Sequence, residues 1–497
     1  MKEFASKHFW FLITFVYFFT RIVNLKIVPI FTDEAIYTYW AQIALNDPAN
    51  RFVSLEDGKQ PLFIWLAAIF QNFITDPLIA SRLVSVFAGF GTTIGIYLLA
   101  KTLFNSTVAK FAAVLYVLLP FTLLYDRMAL FDSLLTMLTV FSVYLAVRTT
   151  RELSLRLAVI NGAVIGLAML TKSSANFFLY LIPTTLLFLN ISKKTRTKNI
   201  ANWIFLYAVT GFIAMFLYNS LRFLTPLFFR ISQKNAEFIR SPQEVLQNPL
   251  LHFFGNLDSI LKWHIDYLGP ILFIAATFAL IWGFIKFNKS IITLAAYIFA
   301  PLLAELLFNE VLYPRFALFY FPYVILILSF GLYEAINKFK KVKLLVISAL
   351  LIAFIWPIYS SFKLLTDPPN SLITKSDKDQ FMNEWPAGYG VTEIIDLLKE
   401  ETKNGKVYVG TEGTFGLLPF ALQVYFYANN NINIVGYWPV REIPIQVMEE
   451  SKIKKTYFVF NEKQDLPDEP NNRKLKLVGK YQKGNGNSYM RLYEVIP

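Results

Sequence analysis

Residues 61–74, PLFIWLAAIFQNFI, decide how the rest of the chain is threaded. The run is almost wholly apolar, but as a helix its 14 residues reach only about 21 Å, short of the roughly 30 Å of a bilayer's hydrocarbon core. Counted as a span, it would invert every later loop and put the basic run KKTRTK at 193–198 on the outer side. Read instead as a re-entrant or interfacial helix, it leaves a consistent thread. Spans then fall near 8–25, 82–100, 108–124, 132–148, 156–171, 175–191, 201–221, 267–286, 290–308, 316–337 and 344–362. The loops bearing Lys101 and Lys110, Arg148 to Arg156, Lys193 to Lys198, Lys286 and Lys289, and Lys338 to Lys343 all lie on the side of Lys2 and Lys7. Basic loops stay in the cytoplasm. The expectation is an α-helical polytopic protein of the plasma membrane with about 11 spans, N-terminus in and C-terminus out.

Composition supports that class. The chain is 55% hydrophobic and 17% aromatic, with 49 Phe among 497 residues, more apolar surface than a soluble domain can hide. Its net charge of +13 sits in the short loops that set topology, so nucleic acid is not the partner it implies; membrane lipids are. There is no Cys, and the three His are unpaired in spacing, which argues against disulfides and a His-built metal centre. The N-terminal run from Phe9 to Phe19 lacks a small-residue cleavage site and reads as an uncleaved first span.

Three units follow. Residues 1–365 form the membrane domain, with external loops at 26–81 and 222–266. Ala35 to Leu45, rich in Tyr and Trp, reads as a second interfacial helix, and Ser241-Pro242-Gln243-Glu244 as a capped helix start. Residues 366–390, with Pro, Asp, Lys and Asn, read as a linker, and 391–497 as a small soluble α/β domain on the outer face. Its elements are helices near 391–401 and 417–429, strands near 406–409, 432–435 and 456–460, and a hairpin of 474–481 with 488–495.

On this thread Asp33-Glu34, Lys59, Asp126-Arg127, Asp132, Lys172, Glu305, Glu310 and Arg315 all fall at or near span ends on one side. Charges at the hydrocarbon edge are costly unless paired, hydrated or used. Asp33 or Glu34 could act as a base towards an acceptor hydroxyl or amine, or ligate a divalent cation. The plainer reading is that Thr32 or Asp33 caps the helix beginning near Ala35. Lys59 enters the 61–74 helix from a turn and could hold a phosphate, or simply snorkel. Asp126, Arg127 and Asp132 mark one turn, where a local ion pair would close a hairpin. Lys172 lies in another, where it could contact headgroups. Arg315 at an outer mouth suits bidentate phosphate contact, or pairs with Glu310 or Glu305. No GxxxxGK or GxGxxG loop is present, so an enzyme working outside would need a lipid-carried activated substrate.

The ordered motifs Thr32-Asp33-Glu34-Ala35, Gly58-Lys59-Gln60-Pro61-Leu62, Ser81-Arg82-Leu83-Val84-Ser85, Tyr97-Leu98-Leu99-Ala100-Lys101, Arg127-Met128-Ala129-Leu130-Phe131-Asp132, Gly166 to Lys172 and Pro314-Arg315-Phe316 resemble the GT-C membrane glycosyltransferases. The likeness is to the protein O-mannosyltransferase and aminoarabinose-transferase type, over roughly 1–340. The resemblance implies transfer of a sugar from a polyprenyl-phosphate donor to a protein, lipid or glycan acceptor at the outer face, usually with inversion. It makes Asp33 the candidate base and Lys59 and Arg315 the phosphate ligands. Glu34, Asp126, Arg127, Asp132, Lys172 and Glu310 would shape the site. Gln60 departs from the many relatives with Pro, so no acceptor is implied. A flippase would require mid-span polar groups and internal symmetry, neither of which the sequence displays. A lipid-binding scaffold would keep the cations without the chemistry.

Overall fold

The computed structural model describes residues 2–190, 192, 194–338, 343–461 and 474–497. Parts of two basic loops that set the threading, Lys193 and 339–342, lie outside the described residues. Eight helices open the membrane part: α1 (Lys2–Ile22), α2 (Thr32–Asn46), α3 (Leu62–Gln71), α4 (Pro77–Leu103), α5 (Ser106–Leu118), α6 (Pro120–Tyr125), α7 (Phe131–Glu152) and α8 (Leu155–Met169). At 10 residues α3 is about 15 Å long, half a bilayer core. It buries Phe63, Ile64, Ala67 and Ala68 and leaves Ile69 exposed.

Local sequence explains where these helices start and stop. The Asp76 carboxylate accepts from the Leu78 and Ile79 amides, with Pro77 at the first helical position of α4. Asn105 caps α5 in the same way. Small residues then bring helices close. A Cβ on Gly95 would lie 2.9 Å from Val140 of α7, and one on Gly89 would strike Asp126 and Tyr17. α2 starts three residues earlier than expected, at Thr32, and neither Thr32 nor Asp33 caps it. Glu34 instead reaches back to accept the Phe31 amide at 3.0 Å.

Among the described residues, five helices are long and apolar enough to cross a membrane, or six if 253–285 counts as one. Two other predicted spans are interrupted near proline. Pro120, which has no amide hydrogen to give, separates α5 from α6. The predicted span at 175–191 is a short helix followed by a 3-10 stretch containing Pro183. The predicted span at 267–286 is the helix Pro270–Ile285, and Gly269-Pro270 sets it at 112° to Phe253–Leu268, a helix within the predicted external loop.

The C-terminal part is a five-stranded sheet of β1 (Val407–Glu412), β2 (Ile432–Tyr437), β3 (Lys455–Phe460), β4 (Leu475–Gln482) and β5 (Tyr489–Val495), in the order β2-β1-β3-β5-β4. β1 pairs in parallel with β2 and β3, while β5 is antiparallel to β3 and β4. Helices Val391–Asn404 and Leu417–Phe426 cover one face of it and Ile445–Ser451 the other. The second of these helices also packs on α2, where Phe420 stacks on Tyr39 at 4.9 Å.

The predicted linker requires correction. Residues 366–390 are not a loose tether: Ile373, Phe381 and Met382 are buried in the core of the membrane part. Apolar side chains spaced among its polar residues dock the segment back on the bundle.

Candidate active site

The site is built on the turn between α1 and α2. Ending a helix leaves carbonyl oxygens without donors. Arg127 meets four of these chain carbonyls: Nη1 donates to Thr20, Arg21 and Val23, and Nη2 donates to Asn24 at 2.6 Å. Arg82, fully buried, continues the cage, donating to the carbonyls of Leu25, Val28 and Pro29. Its other face makes a bidentate pair with Glu34, at 2.8 Å from Nε and 2.6 Å from Nη2. Glu34 also accepts the Ala129 amide at 2.6 Å. These buried charges fix a turn; removing one partner of such a pair costs about 3–5 kcal/mol.

That wiring revises three expectations. Glu34 is fully buried with both oxygens occupied, so it neither faces substrate nor has an oxygen free for a metal ion. Asp126 and Arg127 do not pair with each other. Asp126 lies 3.6 Å from Arg21 and accepts from Tyr17, Tyr116 and Ser133, beneath the site rather than in it. Their motif signals a structural staple.

One residue along, Asp33 points the other way. Its carboxylate lies 2.6 Å from Arg315, and the two side chains keep 22% and 14% of their surface exposed. The Tyr37 hydroxyl, one turn on, is 3.5 Å from the same carboxylate. Burial opposes the Arg315 charge, but the fields of Asp33, Tyr37 and Asp132 outweigh it and hold the guanidinium above its ordinary pKa. The Arg315 Nε is buried with no hydrogen-bond partner among the described residues. Neither expected alternative partner pairs with it. Glu305 accepts from Tyr320 at 3.0 Å, and Glu310 is exposed, joining the structure through its amide to the Phe238 carbonyl.

A second pair joins Asp132, at the start of α7, to Lys172 at 2.7 Å, with Lys172 also 4.5 Å over the Phe316 ring. Lys59 makes no ion pair within 4 Å among the described residues; its ammonium sits 5.4 Å over the Phe238 ring. Gly58, at φ +68, turns the chain so that Lys59 enters the site, and a Cβ there would be 2.5 Å from Lys234. Gln60 and Asn235 both donate to Ser173, tying three loops together around this turn. Burial lowers the Lys59 pKa; Asp33 and Asp57 oppose that, while Arg315 and Lys172 add to it. The site thus holds two ion pairs and one cation in excess, an arrangement suited to an anion. Among the described residues no group of three or more His, Cys, Asp or Glu is gathered to hold a metal ion.

Residues 58–220 match the family described as dolichyl-phosphate-mannose-protein mannosyltransferase. ArnT from Cupriavidus metallidurans bound to undecaprenyl phosphate superposes with a TM-score of 0.59 at 12% identity, covering 99% of this chain and 98% of that one. The fold is that of the GT-C glycosyltransferases. The oligosaccharyltransferase AglB from Archaeoglobus fulgidus, in complex with an inhibitory peptide and a dolichol-phosphate, matches at a TM-score of 0.54 and 12% identity over 85% of this chain. The chain spans 64% of the length of that AglB. No curated protein matches in sequence.

The matched stretch begins one residue before Lys59 and includes Lys172, while Asp33 and Arg315 lie outside it. Of the residues singled out from sequence, the fold brings together Asp33, Lys59, Asp132, Lys172 and Arg315. The sequence reading missed Tyr37, which the helical i, i+4 spacing from Asp33 could have revealed. It also missed Phe238, the ring beneath Lys59, which carries no local signal, and it quoted Phe316 only as part of the Arg315 motif and not as the ring beneath Lys172.

Proposed function

We propose that the chain is a membrane glycosyltransferase that moves a sugar from a polyprenyl-phosphate donor to an acceptor at the outer face, with inversion at the anomeric carbon. The observation that carries this reading is Lys59, an ammonium with no ion-pair partner among the described residues, beside the Asp33–Arg315 pair. The donor phosphate bridges Lys59 and Arg315, satisfying the free Arg315 Nε. As it takes Arg315, the Asp33 carboxylate is released from its partner and turns to the acceptor. The acceptor oxygen or nitrogen attacks the anomeric carbon and gives its proton to Asp33. The bond from that carbon to the phosphate oxygen breaks, and the two cations stabilise the phosphate charge as it grows. Asp132 holds Lys172 at the wall of the site.

The test is release of label from radiolabelled polyprenyl-phosphate sugars by the purified protein in lipid, with and without chelator. Asp33→Asn is expected to lower turnover by about 10²–10⁴, the range of general-base catalysis, with folding retained. An active Asp33→Asn protein would overturn the role given to Asp33. The chelator arm reads metal dependence independently.

A further inference from the structure

The residues just before Asp33 are held by a distant part of the chain. Both the amide and the hydroxyl of Thr32 donate to the Pro386 carbonyl, each at 3.1 Å. Phe31 and Ala387 form an isolated antiparallel bridge. Gly388 lies so close that an added Cβ would strike the Ile30 carbonyl. The Phe31 ring meets Phe381 edge-on at 4.8 Å, and the Arg315 guanidinium lies 5.7 Å from the same ring. One strap therefore touches the supports of both Asp33 and Arg315.

The strap has its own anchor. Asp377 is fully buried, accepts from Tyr125 at 2.8 Å and from Tyr267, and has no cation within 4 Å among the described residues. A buried carboxylate held only by hydroxyls is an expensive way to fill space. It does, however, specify register, since each oxygen is aimed at one tyrosine.

We propose that residues 374–388 form a positioning strap for the Asp33–Arg315 pair, with Asp377 as its anchor. The proposal rests on the catalytic reading of that pair. Asp377 touches no substrate; it acts through Phe381, Phe31 and Pro386.

The test compares wild type, Asp33→Asn, Asp377→Ala, Asp377→Asn, Tyr267→Phe and Thr32→Val in the donor assay, per folded molecule. Backbone hydrogen exchange is measured over residues 30–36 in parallel. Asp377→Ala and Thr32→Val are expected to lower kcat at least tenfold and fivefold, with donor KM changed less than threefold. Exchange at 30–36 should quicken tenfold without change elsewhere in the bundle. Asp377→Asn, which can still accept from Tyr125, should restore most of kcat. If Thr32→Val and Tyr267→Phe keep kcat within twofold of wild type, the strap is merely structural and the proposal fails, even should Asp377→Ala not fold. Unchanged exchange at 30–36 in all variants also overturns it. An active Asp33→Asn protein would instead sink the catalytic reading, a separate failure.

Discussion

Asp33 and Glu34 are adjacent carboxylates with opposite fates, and the difference comes from a residue nearly 50 positions away. Arg82 takes both oxygens of Glu34, so only Asp33 remains to face the cations. Sequence marked both because the charge of each is visible there, whereas the direction a helical side chain takes depends on what the opposite wall offers. Lys59 is the sharpest case at this scale, since among the described residues it alone of the site's basic groups lacks a carboxylate partner. A charge-assisted bond to phosphate is worth about 1.5–3 kcal/mol, so Lys59→Ala should raise donor KM about tenfold or more. Burial shifts the Lys59 pKa down. Its ammonium is therefore lost at a lower pH than that of an exposed lysine, and donor KM should climb on the alkaline side. Lys59→Arg should abolish that climb, because a guanidinium stays charged. Donor KM against pH for wild type and Lys59→Arg checks this; superimposable curves would remove Lys59 from phosphate binding.

At the scale of elements, the helices whose ends carry local signals were legible: Ser241-Pro242-Gln243-Glu244, read as a capped start, is the capping box that opens Pro242–Gln247. Broken elements were not. Hydropathy reads through Leu119-Pro120 as if the apolar run were continuous, though the backbone stops there. The strap failed for the opposite reason. Its composition is that of a tether, and its few apolar residues find their partners only in three dimensions. Asp377 makes the strap measurable. Burial pushes its carboxyl up to about 7, with the hydroxyls of Tyr125 and Tyr267 and the Arg315 charge pulling back. A carboxyl raised on folding contributes stability at acid pH and loses it as pH rises through the folded value. Thermal stability in detergent should therefore fall between about pH 4 and pH 7, by a few kcal/mol at most. Asp377→Asn should flatten that slope and melt higher than wild type at about pH 8. A slope unchanged in Asp377→Asn would assign it to other groups.

At the scale of the whole molecule, the C-terminal sheet domain and the site are locked to one side. Gln42 of α2 donates to Val424 at 2.8 Å, and a Cβ on Gly416 would meet Thr32 at 3.5 Å. Contacts this close to Asp33 mean that whichever side of the membrane holds the domain also holds the chemistry. The basic loops should lie opposite, in the cytoplasm, if charge sets topology. Because the chain has no Cys, this can be read with single introduced cysteines against a silent background. Lys403→Cys, on the exposed end of a helix of the C-terminal domain, should react in intact cells with a membrane-impermeant maleimide. Arg196→Cys, exposed at the start of the helix Arg196–Asn219, should react only after lysis. The reverse pattern would put Asp33 on the cytoplasmic side, where soluble nucleotide sugars are available, and would remove the topological reason for a lipid-carried donor. Labelling of both in intact cells would instead break the alternation of basic loops on which the threading through residues 61–74 depends.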